Sequence, residues 1–128
     1  MTKKIIATDN APKAIGAYSQ GVVAEGTRLL YVSGQIGLDP RTGELVPGGC
    51  AVEAAQALKN IEAVLKAGGG SFQSIVKATI ILADMNDFAA VNSAYAACFP
   101  SDPPARAAFA AAALPRGARV EIEAIAIL

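Results

Sequence analysis

The sequence predicts an α+β domain, and three observations carry that expectation. Short extended segments open the chain before any helical periodicity begins. A helix–strand–helix run fills the middle, and a strictly alternating segment closes it. Helices grouped in this way pack on one face of a sheet, which leaves the opposite face to be covered by something else.

Residues 4–8 form a short apolar segment that suits a strand, and Asp9-Asn10-Ala11-Pro12 then marks a turn. Residues 19–24 read as a second strand. Glu25-Gly26-Thr27 turns the chain, and residues 28–33 return on the second strand as a hairpin. Gly34 ends that strand at a place where a missing side chain lets a ligand or another backbone approach. Residues 52–67 are the clearest helix. Ala54, Leu58, Ile61 and Leu65 recur on one face, and Glu62 and Lys66 pair at i,i+4 outside it. Gly68-Gly69-Gly70 follows the helix instead of opening one and lacks the Lys-Ser/Thr of a phosphate loop, so it reads as a C-terminal stop.

Residues 75–83 read as a largely buried strand. Asn86-Asp87 supplies a cap signal for a second helix with Phe88, Val91, Tyr95 and Cys98 inside, and Pro100 to Pro104 breaks it. Residues 105–113 are ambiguous, because their alanines favour helix by propensity alone. At the end Val120, Ile122, Ala124 and Ala126 alternate with Glu121, Glu123, Ile125 and Ile127, which is a strand.

Composition narrows the functional classes. The 128 residues fit one domain over 1–128, and they are 53% hydrophobic and 17% charged. Typical values are about 45–50% and 25%, so the excess of apolar surface points to a subunit interface. Eleven basic and eleven acidic residues cancel, with no basic cluster beyond Lys3-Lys4, so the footprint of a nucleic-acid binder is missing. No apolar run approaches the roughly 20 residues of a membrane span, and no signal-peptide core follows the N-terminus. A cytoplasmic location is expected. Cys50 and Cys98 share no motif and read as buried thiols. The chain has no histidine, which removes Ser-His and Cys-His nucleophile pairs, histidine metal sites and the commonest acid–base residue. Chemistry must then come from Glu, Asp, Arg, Lys, Tyr or Ser.

Arg106 stands in a run almost free of other polar side chains. A planar cation in apolar surroundings is an anion receptor, since guanidinium presents a fixed fork of donors that matches a carboxylate. Glu121 and Glu123, on one side of the last strand, offer a base nearby. Two neighbouring carboxylates also suit glycoside hydrolysis, but nothing in the chain resembles a sugar platform.

At Ile15-Gly16-Ala17-Tyr18-Ser19-Gln20, Val32-Ser33-Gly34-Gln35-Ile36, Asn86-Asp87-Phe88, Pro104-Ala105-Arg106 and Val120-Glu121-Ile122-Glu123-Ala124-Ile125-Ala126, the sequence resembles the Rid (YjgF, reactive intermediate deaminase) family. The likeness spans essentially the whole chain and is strongest to the RidA branch. It implies a chorismate-mutase-like fold of the bacillus type: a mixed six-stranded sheet with two helices on one face, assembled as a homotrimer with clefts between subunits. Residues 107–113 become a strand on this view, against their propensity. The implied activity is hydrolysis of 2-iminobutanoate and 2-iminopropanoate to 2-oxo acids and ammonia, without cofactor or metal. By motif, Arg106 matches the carboxylate-binding arginine, Glu121 the water-handling glutamate and Tyr18 the active-site tyrosine. Ser33, Gly34 and Asn92 fall at pocket positions, and the backbone N–H of Ala108 at another. With Arg106 and Glu121 on consecutive strands, residues 104–126 are expected to form one hairpin carrying both. Three departures stand out: Ala17 where Gly-Pro-Tyr is usual, Pro103 for a common Phe, and Ala108 where some members carry Cys.

Two other readings stand beside the deaminase. Family members have been described as endoribonucleases on single-stranded RNA, for which a chain with no histidine, zero net charge and few aromatics is poorly equipped. The other is a non-catalytic trimer that binds small carboxylates.

Overall fold

The computed structural model describes residues 1–128. In chain order the elements are β1 (Thr2–Ile6), β2 (Gly21–Glu25), β3 (Leu29–Gln35), α1 (Cys50–Gly68), β4 (Ile75–Leu82), α2 (Phe88–Ala96), β5 (Ala105–Ala110) and β6 (Val120–Ile127). This is the expected α+β arrangement, with both helices on one face of a mixed sheet. The six strands do not form a single sheet. β3, β6, β4 and β5 lie side by side in that order, while β1 and β2 make a separate antiparallel pair.

The expected β2–β3 hairpin is therefore absent, and the cause lies at the far end of the chain. The N–H groups of Thr27 and Arg28 donate to the carbonyl of Leu128 at 3.1 and 3.3 Å, and the Leu128 N–H returns a bond to the Arg28 carbonyl at 2.8 Å. A side chain on Gly26 would put its Cβ 2.7 Å from that same Leu128 oxygen, so the glycine permits the capture. β3 then runs antiparallel to β6, from Leu29 opposite Ile127 to Val32 opposite Ala124. This register places Val32 in the core.

β5 forms as a strand even though it reads Ala-Arg-Ala-Ala-Phe-Ala, but it stops at Ala110, short of the expected Ala113. It pairs parallel to β4, from Lys77 opposite Ala105 to Leu82 opposite Ala110, with α2 as the crossover. Pairing in a βαβ unit overrides alanine's helical preference, since the ladder satisfies the backbone and α2 covers the sheet. β6 pairs with the other side of β4. The residue 104–126 segment is thus no hairpin, because β4 lies between its two strands.

α1 buries Ala54, Ala57, Leu58, Ile61 and Leu65. Gly69, at φ 91°, sends its N–H back to the last carbonyls of the helix, which is the left-handed stop that glycine alone adopts without cost. Asp87 stands at the N-cap position of α2, as expected, but its side chain makes no capping bond; the side-chain cap is that of Asp84, one turn earlier, whose carboxylate accepts the Asn86 N–H at 2.8 Å. Below both helices lies one apolar cluster that includes Leu65, Ile80, Leu82, Val91, Tyr95 and Ile122. Cys50 and Cys98 are unpaired, and each is half-buried where full burial was expected. On the opposite face Leu29, Tyr31 and Phe109 remain 55%, 67% and 48% exposed, an apolar surface that no element of the chain covers.

Where β3 leaves the sheet, Gly37 touches the first turn of α1. A Cβ there would lie 2.8 Å from both the Cα and the carbonyl oxygen of Glu53, which are backbone atoms that cannot swing away. Gly37→Ala should lower unfolding stability by about 1–3 kcal/mol, measured by urea denaturation at fixed protein concentration. An unchanged midpoint would show that α1 is free to shift.

Candidate active site

Strand parity decides where each candidate side chain goes. Along β4, Ala78, Ile80 and Leu82 are buried under the helices, so Lys77, Thr79 and Ile81 face the other way. Arg106 pairs with Ala78 and Ala108 with Ile80, which puts both on the helix side of β5. Glu121 pairs with Ile81 and Glu123 with Thr79, which puts both on the open side of β6.

On the helix side, the Arg106 Nη1 donates to Asn92 Oδ1 of α2 at 2.6 Å. Its guanidinium carbon lies 5.1 Å from the ring centre of Tyr95 and 5.5 Å from those of Tyr18 and Phe88. Three rings therefore bound the cation, whose weak hydration suits such a place. Burial pulls its pKa below the usual arginine value, and the neighbouring Tyr95 and Tyr18 oppose that shift. No carboxylate pairs with it: the ion pairs of the protein are Arg41–Asp39, Lys66–Glu62 and Arg119–Asp87. Most of its donors are left for a ligand.

Tyr18 reaches this place from the loop between β1 and β2. The Ser19 N–H donates to the Pro104 carbonyl at 3.1 Å, and the Ser19 hydroxyl donates to the Pro103 carbonyl. These bonds pin the loop to the start of β5, beside the departure from the family pattern at Ala17. The Gln20 carboxamide grips the rest of the loop, accepting the Thr8 N–H and donating to the carbonyls of Thr8, Ala11 and Pro12. Tyr18 itself accepts the Ile15 N–H at 3.3 Å.

On the open side, Glu121 lies over Gly34, where a Cβ would come within 2.6 Å of its Oε2. The glycine is what lets this carboxylate lie flat against β3. On the same face Ser33 lines a groove of about 310 Å³ together with Tyr31, Lys77, Thr79 and Glu123. Glu121 makes no side-chain hydrogen bond or ion pair with the rest of the chain.

The expected site residues thus fall into two groups. Arg106, Tyr18, Asn92 and Ala108 gather beneath α2, whereas Glu121, Ser33 and Gly34 gather on the opposite face. Phe88 and Tyr95 line the cation's surroundings, although their spacing marked them only as core. The clue was that Phe88, Asn92 and Tyr95 share one helical face with a polar residue in the middle.

The model of the family described as Endoribonuclease L-PSP matches residues 8–128. The chain belongs to this family, the Rid (YjgF) proteins. Among Rid relatives, the rat protein named 2-iminobutanoate/2-iminopropanoate deaminase is 58% identical over 125 residues, covering 98% of this chain and 90% of the rat protein. The crystal structure of RidA from an Antarctic Psychrobacter is 44% identical with a TM-score of 0.75, covering 98% of this chain and 99% of that one. That of E. coli TdcF with bound serine is 40% identical with a TM-score of 0.74 and covers 98% of both chains.

Burial pushes the Tyr95 phenol well above its ordinary pKa of 10.0, and the Arg106 charge offsets part of the rise. A raised folded-state value means full stability below the ordinary pKa and loss above it, because the unfolded chain then releases a proton that the folded chain keeps. Unfolding midpoints should fall as the pH passes 10, and fall less steeply in Tyr95→Phe. Equal slopes in a urea series from pH 8 to 11 would contradict this burial.

Proposed function

We propose that this Rid protein hydrolyses 2-imino acids, 2-iminobutanoate and 2-iminopropanoate among them, to 2-oxo acids and ammonia without a cofactor. The observation that carries the proposal is the unpaired Arg106 guanidinium, held by Asn92 among three aromatic rings. The names of the mammalian relatives support the reaction. Serine bound to TdcF supports the ligand class, a carboxylate next to a nitrogen-bearing carbon.

In this mechanism Arg106 takes the substrate carboxylate bidentately and fixes the imine carbon. Glu121 removes a proton from water as the oxygen attacks that carbon, giving a tetrahedral carbinolamine. The same carboxyl group returns that proton to the nitrogen of the carbinolamine and then takes up its hydroxyl proton as the C–N bond breaks, so the carbonyl forms and ammonia leaves. One water is consumed per imine, and no oxidant or reductant is required. Tyr18 closes the pocket over the substrate, and Ser33, Gly34 and the Ala108 N–H line it.

Arg106 and Glu121 lie on opposite faces of one sheet with β4 between their strands. The proposed site therefore needs a second copy to bring the Glu121 face against the Arg106 pocket. A chorismate-mutase-like homotrimer, with the exposed Leu29, Tyr31 and Phe109 side turned inward, supplies that geometry and covers the apolar surface. No helix is long and apolar enough to cross a membrane, and the proposal places the protein, as one domain over residues 1–128, in the cytoplasm. Ribonuclease action, which the family description names, lacks support in the residues. There is no histidine, net charge is zero, and the free guanidinium is enclosed by rings rather than set on a basic surface.

A dehydratase acting on threonine generates 2-iminobutanoate, and the appearance of 2-oxobutanoate is then followed with and without the protein. Arg106→Lys should lose about a hundredfold or more in kcat/KM, and Glu121→Gln about 10²–10⁴-fold. Unfolding and refolding the two inactive variants together should restore about a quarter of the activity, the share of mixed interfaces that pair both intact residues. No recovery would refute a shared site, and no acceleration by the wild type would leave only a binding protein.

A further inference from the structure

Tyr95 is 1% exposed, and its hydroxyl is a buried side-chain polar atom with no hydrogen-bond partner. Such a group costs stability, about 1–3 kcal/mol when left unmade, and native proteins seldom keep one without a use. Its ring packs on Phe99 at 4.7 Å between centres and faces the Arg106 guanidinium carbon at 5.1 Å. Shape alone would be satisfied by phenylalanine. The oxygen adds nothing to the packing of the free protein.

The neighbourhood restricts what could complete the bond. Of the charged groups, Arg106 acts most strongly on Tyr95, and Tyr95 acts on Arg106 ahead of Tyr18. Guanidinium has donors only, so a ligand that meets both groups must bring acceptors. The imine nitrogen of a 2-imino acid, which is protonated during turnover, would be repelled by Arg106. A carboxylate oxygen suits both partners.

We propose that the Tyr95 hydroxyl is a substrate-binding group, donating a hydrogen bond to the carboxylate that Arg106 holds. The proposal rests on the imino-acid reading of the site and names which end of the substrate lies deepest, against α2. The Tyr18 ring flanks the same guanidinium, and its hydroxyl is engaged by a single 3.3 Å bond from the Ile15 N–H. Asn92 orients the guanidinium from one side, and Tyr95 closes the donor set from the other. Ligands with no carboxylate would leave the phenol unsatisfied in a closed site, and this penalises them more than a missing contact would.

Tyr95→Phe removes the oxygen alone. The test measures ligand-free melting at neutral pH, and also binding of 2-oxobutanoate, a stable carboxylate product, by calorimetry. The variant should melt at or above the wild-type temperature, because it removes an unmade bond, and should bind about tenfold or more weakly. Tyr18→Phe, assayed beside it, tests whether a loss is peculiar to Tyr95. A variant that melts lower and binds as well as wild type would overturn the proposal, since the hydroxyl would then have an internal partner. Equal binding with unchanged melting would overturn it too. If wild type binds no 2-oxobutanoate but Arg106→Gln also changes nothing, the imino-acid reading itself has failed. If wild type binds, Arg106→Gln does not, and Tyr95→Phe binds normally, only the Tyr95 proposal falls.

Discussion

Strand β4 is laddered on both sides, parallel to β5 and antiparallel to β6, and the positions of the candidate catalytic groups follow from that pairing. Side chains alternate across a sheet with a period of two, so each partner inherits its face from the β4 residue opposite. Ala78 faces the helices and carries Arg106 with it; Ile81 faces away and carries Glu121. A register slip of one residue on either side would bring both groups to the same face. It would also push the aliphatic residues of that strand out of the core. Ile80, Leu82, Val120 and Ile122, all at most 1% exposed, oppose such a slip. Hydrophobic burial in the sheet thus holds the two polar groups apart.

The two arginines near this core show how surroundings divide one residue type between tasks. Arg119 spends its donors on structure: Nε and Nη2 reach the same Asp87 oxygen at 2.9 and 2.6 Å, and its backbone N–H donates to the buried Glu53 carboxylate at 2.9 Å. It ties the start of β6 to α1 and to the turn that precedes α2. Arg106, thirteen residues earlier in the numbering, has a single protein partner. Aromatic faces offset part of the loss of water around it without neutralising it. Preorganised charge with unspent donors is the requirement for holding an anion during chemistry.

The open face presents the complementary half. Glu121 is brought against β3 by Gly34, and the surrounding surface of Tyr31, Thr79 and Phe109 is more apolar than a water-facing sheet needs. Glu121 makes no ion pair within its own chain, although Lys77 shares the face. The imbalance on each side, an unpaired guanidinium beneath α2 and the unpaired Glu121 carboxylate on the open face, follows from the same alternation.

Local periodicity made much of this legible in the sequence. The burial stripe of α1, the alternation of β6, the apolar run of β4 and the isolation of Arg106 are all properties of neighbouring residues, and they hold in the structure. What sequence could not supply was the choice of partners. Residues 19–33 read as a hairpin, yet Leu128 captures the start of β3; residues 104–126 read as a hairpin, yet β4 enters between its strands. The orphaned Tyr95 hydroxyl was hidden for the same reason, since its helical position marks it as core and only Arg106, arriving from another element, shows what lies beside it. Chain-local chemistry determined which side of its own element each residue of this Rid protein occupies. Tertiary pairing decided which sides meet, because a ladder bond satisfies any backbone group alike and only burial of the whole sheet selects among the registers.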